Sequence, residues 1–296
     1  MPSSRPLLLC PVCGEVMPDP RGGSALVCPA GHRFDAAKQG YFNLLTGQGT
    51  RFQADTAEMV QARVDFLAAG HYAPLAAALV AAAGRAVPDV ERVLDAGAGT
   101  GYYLAEVASG LQAHGIGLDI SKYALRRAAR LLPDGIHLVW DVWRTLPLAD
   151  GSVDVVLNVF APRNPVEFHR VLSPGGALLV VTPRAEHLQE LRSLAGMLDV
   201  AGGKDEQVAE ALAGRFRLES SEEILGQPEL SAADLRNAAL MGPSAHHLDA
   251  VRLDEALAAA TPPVRRALSV SSRSWRSRPR QARMPNGSSS NDSASR

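Results

Sequence analysis

The pattern of apolar and polar positions changes character several times along this chain. From Val90 onward, short apolar runs alternate with helical stretches. ERVLDAG reads as a strand entering a turn, Tyr102 to Leu111 as a helix, and GIGLDI as a strand. Lys122 to Leu132 reads as an amphipathic helix with Arg126, Arg127 and Arg130 outward, and IHLVWD, VDVVLNVF and ALLVVTP supply three further strands. Continuous β-branched runs of this kind belong to a parallel sheet covered on both faces. Ahead of this region, Asp55 and Glu58 have the spacing of a capping box, and Met59, Val60, Val64, Phe66 and Leu67 form the apolar face of a helix. A second helix, Pro74 to Ala86, is closed by Pro88. Residues 190 to 260 alternate helices with one strand near Phe216 to Leu218. Past Arg265 the composition shifts to Ser, Arg, Pro and Asn, which predicts disorder. The chain therefore divides into a Cys-, Pro- and Gly-rich module (1–48), a helical linker region (49–88), an α/β domain (89–268) and a disordered tail (269–296).

Composition narrows the function. The chain has 296 residues, of which 46% are hydrophobic, enough for one full α/β domain plus a small module. The formal net charge is -1, so any surface for nucleic acid must be local. No apolar run approaches the length of a membrane span, and Leu7 to Leu9 is too short for a signal sequence. The expected location is the cytoplasm, with no membrane partner.

The three cysteines lie together in the first module. Cys10, Cys13, Cys28 and His32 form C-x2-C-x14-C-x3-H. Two such knuckles complete the closed tetrahedral shell of a structural zinc, with no open position for catalysis. A segment this small has no independent core, and metal binding supplies its folding energy. Nearby stand Arg21, Arg33, Lys38 and Arg51, with Phe34, Tyr41 and Phe52 among them. Arginines hold phosphates and aromatics stack on unpaired bases, although Phe34 and Tyr41 are better read as packing of the module.

The chemistry of the α/β domain is carried by VLDAGAGTGYYL, with Asp95, Gly97, Gly99 and Gly101 in the turn after the first strand. Glycines let the backbone approach a ligand closely. The spacing differs from the dinucleotide fingerprint, whose third glycine would fall at Tyr102. Asp119 ends the next strand, where a carboxylate accepts from both ribose hydroxyls, and Asp141 ends the third, placed for an adenine amino group. Three acidic strand ends in register with a glycine turn predict a Rossmann-like, class I S-adenosylmethionine-dependent methyltransferase. Asn158, Phe160 and Pro162 follow the fourth strand and are expected to edge the pocket that admits the target base.

CPVC…CPAGHRFDAAKQGYFNLL, then DTAEMVQARVDFLAAGHY, then LDAGAGTGYY resembles the RlmA family of bacterial 23S rRNA guanine-N1 methyltransferases. ALMGPSAHHL is similar to the branch that includes the tylosin-resistance enzymes of macrolide producers. The resemblance implies one structural zinc, S-adenosylmethionine as cofactor, and a homodimer with a groove for RNA. It implies methylation of N1 of a guanine in hairpin 35 of 23S rRNA, at about position 748 in preference to 745, and hence macrolide resistance. It also carries cofactor contacts to Tyr72, Gly101, Tyr102 and His187. Two other readings stay open on the residues alone: a methyltransferase acting on a small molecule, and an RNA-binding protein without turnover. No residue is singled out as the group that removes the guanine N1 proton.

Overall fold

The computed structural model describes residues 5–20, 23–47, 49–195, 204–259, 264–265 and 268–279. Eight strands build one central sheet: β1 (Tyr41–Asn43), β2 (Arg92–Ala96), β3 (His114–Asp119), β4 (Ile136–Val139), β5 (Val153–Val159), β6 (Leu172–Pro183), β7 (Phe216–Gly226) and β8 (Leu268–Ser277). Their order across the sheet is β7-β8-β6-β5-β2-β3-β4-β1. Every residue of β5 is buried, as expected of a strand covered on both faces. All strands run parallel except β8, which is antiparallel to both neighbours. Strand order reverses at β2: β3 and β4 continue to one side, and β5 and β6 lie on the other. Ligands of open α/β sheets bind outside the carboxyl ends at such a reversal.

The helices are α1 (Ala57–Ala68), α2 (Ala73–Ala86), α3 (Tyr102–Leu111), α4 (Lys122–Leu131), α5 (Pro165–Val171), α6 (Gln189–Ala195), α7 (Lys204–Leu212), α8 (Ala232–Leu240) and α9 (Ala250–Ala259). Two apolar layers flank the sheet. Leu79 and Ala83 of α2, Leu104 and Val107 of α3, Leu235 of α8 and Leu253 of α9 cover one face. Phe168 of α5 and Leu212 of α7 cover the other, joined there by Leu8, Leu26 and Phe42 of the N-terminal module. Among the described residues no single helix is long and apolar enough to cross a membrane.

The structure revises three expectations. Thr56, not Asp55, caps α1: its hydroxyl accepts from the Met59 N–H, which frees Asp55 to pair with Arg63 at 2.6 Å. The boundary at residue 48 separates no independent module, because β1 adds Tyr41–Asn43 to the sheet edge beside β4. Leu9 and Ala149 further tie the N-terminus to the body through backbone bonds with Pro147 and Leu7.

The third revision concerns the tail. Residues 268–277, expected to be disordered from 269 onward, form β8, an inner strand. Ser269, Ser271, Ser272 and Ser274 are all buried, as is Trp275. This strand is covered by its neighbours on both edges although it lacks the apolar run expected of a strand buried on both faces. Arg273 and Arg276 are not free cations either: they pair with Asp205 and Glu219 at 2.7 and 2.8 Å. The tail beyond Pro279 lies outside the described residues.

Candidate functional site

The N-terminal module brings four ligand atoms together. The Leu8–Leu9/Val16–Met17 hairpin presents Cys10 and Cys13, and Ala25–Val27/Arg33–Asp35 presents Cys28 and His32. Each knuckle closes on a glycine. The Gly14 N–H donates to the Cys10 carbonyl and the Gly31 N–H to the Cys28 carbonyl, both at 2.9 Å. Gly14 and Gly31 have φ of 78° and 85°, the left-handed region that a side chain would strain. Cys13 Sγ is 3.7 Å from Cys28 Sγ, and Cys28 Sγ is 3.3 Å from His32 Nδ1. A tetrahedral ion with Zn–S of about 2.3 Å and Zn–N of about 2.0 Å sets these separations near 3.8 and 3.5 Å. The donor set and its spacing fit zinc.

A cleft of about 1170 Å³ opens at the carboxyl ends of the sheet. An ordinary small-molecule pocket measures roughly 300–1,000 Å³, so this one has room for a nucleoside cofactor and a second group. Tyr72, Gly97, Gly99, Tyr102, Asp119, Asp141 and His187 all line it, as do Phe160 and Pro162. Asp95 and Gly101 lie behind the wall. Gly101 packs so closely on α4 that a Cβ there would stand 2.7 Å from the Ala128 Cβ. A Cβ on Gly97 would come within 2.4 Å of the Ala161 Cβ, which leaves that turn no alternative residue.

Asp119 accepts from the Gly99 N–H at 2.9 Å and from the Ser121 N–H at 2.7 Å, one bond to each oxygen. Each oxygen keeps a lone pair for a ribose hydroxyl. Asp141 accepts from the Thr50 hydroxyl at 2.7 Å and the Trp143 N–H at 3.0 Å, so the segment that leaves the zinc module helps to build this wall. Asp95 Oδ1 is buried with no partner, and burial, with the nearby Asp119 charge, pushes its carboxyl up to about 8. An orphaned acid beneath the glycine turn suits a cationic ligand, and S-adenosylmethionine carries both an ammonium and a sulfonium. The residues fit that cofactor. Asp119→Ala is expected to weaken its binding by roughly 1.5–3 kcal/mol, the range for hydrogen bonds to a charged group. Calorimetry with S-adenosylhomocysteine measures this, and unchanged affinity would remove Asp119 from the site.

Tyr72 and His187 meet across the cleft although 115 residues separate them, with Tyr72 Oη 3.0 Å from His187 Nε2. The Ser269 N–H of β8 donates to His187 Nδ1 at 3.2 Å. Nδ1 is therefore an acceptor, and the ring proton belongs on Nε2, which donates to Tyr72 Oη. Burial, helped by the charge of Arg192, lowers His187 to about 4 and keeps the ring neutral. The Tyr72 hydroxyl thus accepts from His187 and retains its own proton to donate. Asn158 does not edge the cleft. It is fully buried and donates to the Ala96 and Pro162 carbonyls at 3.1 and 2.8 Å, pinning the loop after β5 to the end of β2.

Sequence reasoning missed several wall residues, among them Asp55, Arg63, Trp143, Arg163 and Arg192. Of the residues considered for RNA, Phe52 lines the cleft 6.5 Å from Trp143, with Arg51 over its ring. Arg33 is paired with Asp35, and Phe34 and Tyr41 pack against apolar clusters. Arg21 lies outside the described residues.

Comparison with known proteins agrees with both halves of this geometry. Residues 8–51 match the N-terminal zinc ribbon of RlmA, and residues 93–176 match a methyltransferase domain. A Micromonospora griseorubida protein assigned as a 23S rRNA (guanine-N1)-methyltransferase is 49% identical over 280 residues, covering 89% of this chain and 95% of its own. The chain belongs to the RlmA family of 23S rRNA (guanine-N1)-methyltransferases. A Streptomyces fradiae member, the 23S rRNA (guanine(748)-N1)-methyltransferase, is 46% identical over 82% of this chain and 86% of its own. A methyltransferase solved in complex with the Haloferax volcanii Trm112 activator shares the fold, with a TM-score of 0.51 at 20% identity over 76% of this chain and 99% of that one. Family membership brings S-adenosylmethionine as methyl donor and a structural zinc.

Proposed function

We propose that this enzyme methylates N1 of the hairpin 35 guanine at about position 748 of 23S rRNA, and that the modification confers macrolide resistance. The observation that carries the reading is the 46% identity to the guanine-748 enzyme over most of both chains, joined to a cleft with room for more than the cofactor. The setting is the cytoplasm, where ribosomal RNA is found, and the working form is a homodimer.

When bound, S-adenosylmethionine supplies a methyl group already activated on a sulfonium, so the chain's task is alignment. Asp119 is assigned to the ribose hydroxyls and Asp141 to the adenine amino group. Gly97, Gly99, Gly101 and Tyr102 shape the turn beside the methionine portion, above Asp95, and the Tyr72–His187 pair offers a hydroxyl donor. The zinc at Cys10, Cys13, Cys28 and His32 is structural. The target base must leave its stack to reach the strand ends, which costs less in a loop than in a duplex. Guanine N1 carries a proton, and the electron pair of that N–H bond becomes the new N–C bond as the proton departs to solvent. The mouth of the cleft is open to water at Phe160, which is 40% exposed.

Incubation of the enzyme with unmodified 23S rRNA and labelled S-adenosylmethionine, followed by primer extension, tests the reading. A methyl-dependent stop at guanine 748 is expected, and a host carrying the gene should tolerate higher tylosin concentrations than one without it. A stop only at 745 would correct the position. Label appearing in metabolites and not in RNA would overturn the substrate, and RNA binding without transfer would overturn the activity.

A further inference from the structure

The cleft is electrostatically divided. Among the described residues three carboxylates line it: Asp55, Asp119 and Asp141. Asp119 ends β3, Asp141 follows β4, and Asp55 leads into α1, where it is paired with Arg63. Arg63 also donates to the Met241 carbonyl, and its Nη1 stands 3.3 Å from where a Cβ on Gly99 would lie. The glycine turn therefore already has its own guanidinium.

Beyond the carboxyl ends of β5 and β6 the lining changes to donors. Arg192, on α6, is only 7% exposed, yet it lines the cleft. Its Nη2 donates to the Ala185 carbonyl, while Nε and Nη1 have no partner. Arg163, in the loop after β5, also lines the cleft and has a buried, unpartnered Nε. Arg192 stands near enough to His187 for its charge to act on the ring, and the Tyr72 hydroxyl, which accepts from His187, retains its own proton to donate. Among the described residues neither arginine forms an ion pair within 4 Å; Asp205, whose charge acts on Arg163, is itself paired with Arg273 at 2.7 Å. A buried guanidinium with unmade hydrogen bonds is costly unless a ligand completes it. Val208, Ala211, Leu188 and Pro162 supply apolar walls around this half, suited to a flat ring.

We infer that Arg192, assisted by Arg163, binds the O6/N7 edge of the target guanine and selects guanine over adenine. This inference rests on the proposed substrate. Guanine presents two acceptors, O6 and N7, on that edge, and arginine is their commonest specific partner. Adenine presents an amino donor in place of O6 and would face the guanidinium with like polarity. The same contact has a chemical consequence. When N1 loses its proton, negative charge spreads onto O6, and a guanidinium held there stabilises it.

A double-mutant cycle tests the contact without turnover. Hairpin 35 RNA is made with guanine or 2-aminopurine at the target position. The second base keeps N7 and the 2-amino group but lacks O6. With S-adenosylhomocysteine bound, the wild-type enzyme is expected to prefer guanine by roughly 5- to 150-fold, the span of a good bidentate pair. Arg192→Gln should reduce the preference to within about twofold while leaving the affinity for S-adenosylhomocysteine intact. Retention of the wild-type ratio by R192Q would overturn the inference. So would a tenfold loss of S-adenosylhomocysteine affinity in a variant with native circular dichroism, which would place the guanidinium on the cofactor. If R192Q does not fold, R192K takes its place, keeping the charge but losing the fork. An unreduced ratio in R192K together with an unreduced ratio in Arg163→Gln then overturns the inference. Failure of the substrate reading is seen separately, as wild-type enzyme that leaves the guanine of 23S rRNA unmethylated.

Discussion

A chain ending at Ser272 is expected to be insoluble or unfolded. The cut falls inside β8 and removes Arg273 to Ser277, the residues that pair with Ala177–Val180 of β6 on one side and with Phe216–Ser221 of β7 on the other. It removes the buried Trp275, and losing a large core aromatic alone costs about 3–5 kcal/mol. It also removes the Arg273–Asp205 and Arg276–Glu219 pairs. A domain stable by about 5–15 kcal/mol does not survive the sum. A chain ending at Pro279 keeps the whole strand, including the Arg278 N–H bond to the Arg215 carbonyl at 2.9 Å. It is expected to fold and to methylate RNA at a near-normal rate. Thermal unfolding of the two truncations, with methyl transfer on the longer one, checks both halves. A folded chain ending at Ser272 would show that the sheet tolerates a half-length inner strand.

Removing zinc is expected to cost the enzyme its cofactor site as well as its N-terminal module. Zinc contributes about 10–16 kcal/mol to the folding of isolated zinc fingers, comparable with the stability of a whole domain. The module does not end in a free linker. It continues into β1 at the sheet edge and then to Thr50, whose hydroxyl bonds Asp141 at 2.7 Å, and to Arg51 and Phe52 at the cleft. One zinc per chain should be released by a strong chelator, and Cys28→Ala should purify without it. Both preparations should bind S-adenosylhomocysteine at least tenfold more weakly. Calorimetry showing native affinity in a zinc-free, folded chain would show that the two sites are independent.

Much of the sheet could be read from the sequence because buried parallel strands announce themselves as apolar runs. GIGLDI and VDVVLNVF became β3 and β5, and Tyr102–Leu111 is a helix with the bounds its periodicity gave. β8 escaped because LSVSSRSWRS carries no apolar run, with only Leu268, Val270 and Trp275 as large apolar residues. The glycine turn and the aspartates were visible as local motifs. Tyr72 and His187 were not: each is an ordinary residue until the fold sets them 3.0 Å apart, and only the family resemblance pointed to them. Arg163 and Arg192 were hidden for a related reason. An arginine on a helix or after a strand reads as a solvated charge, and nothing local says that its guanidinium is turned inward and left unpaired.

The place of β8 also fixes when this protein can become itself. Among the described strands, β7 pairs only with β8, and β6 on that side has no other partner. During synthesis both edges stand open until β8 emerges, so until then β7 has no partner in the sheet and β6 is paired on one side only. At about 5–20 residues per second, that is an interval of seconds in which two strand edges are available to chaperones and proteases. A chain that stops ahead of β8 is therefore expected to be aggregation-prone and not a partial enzyme.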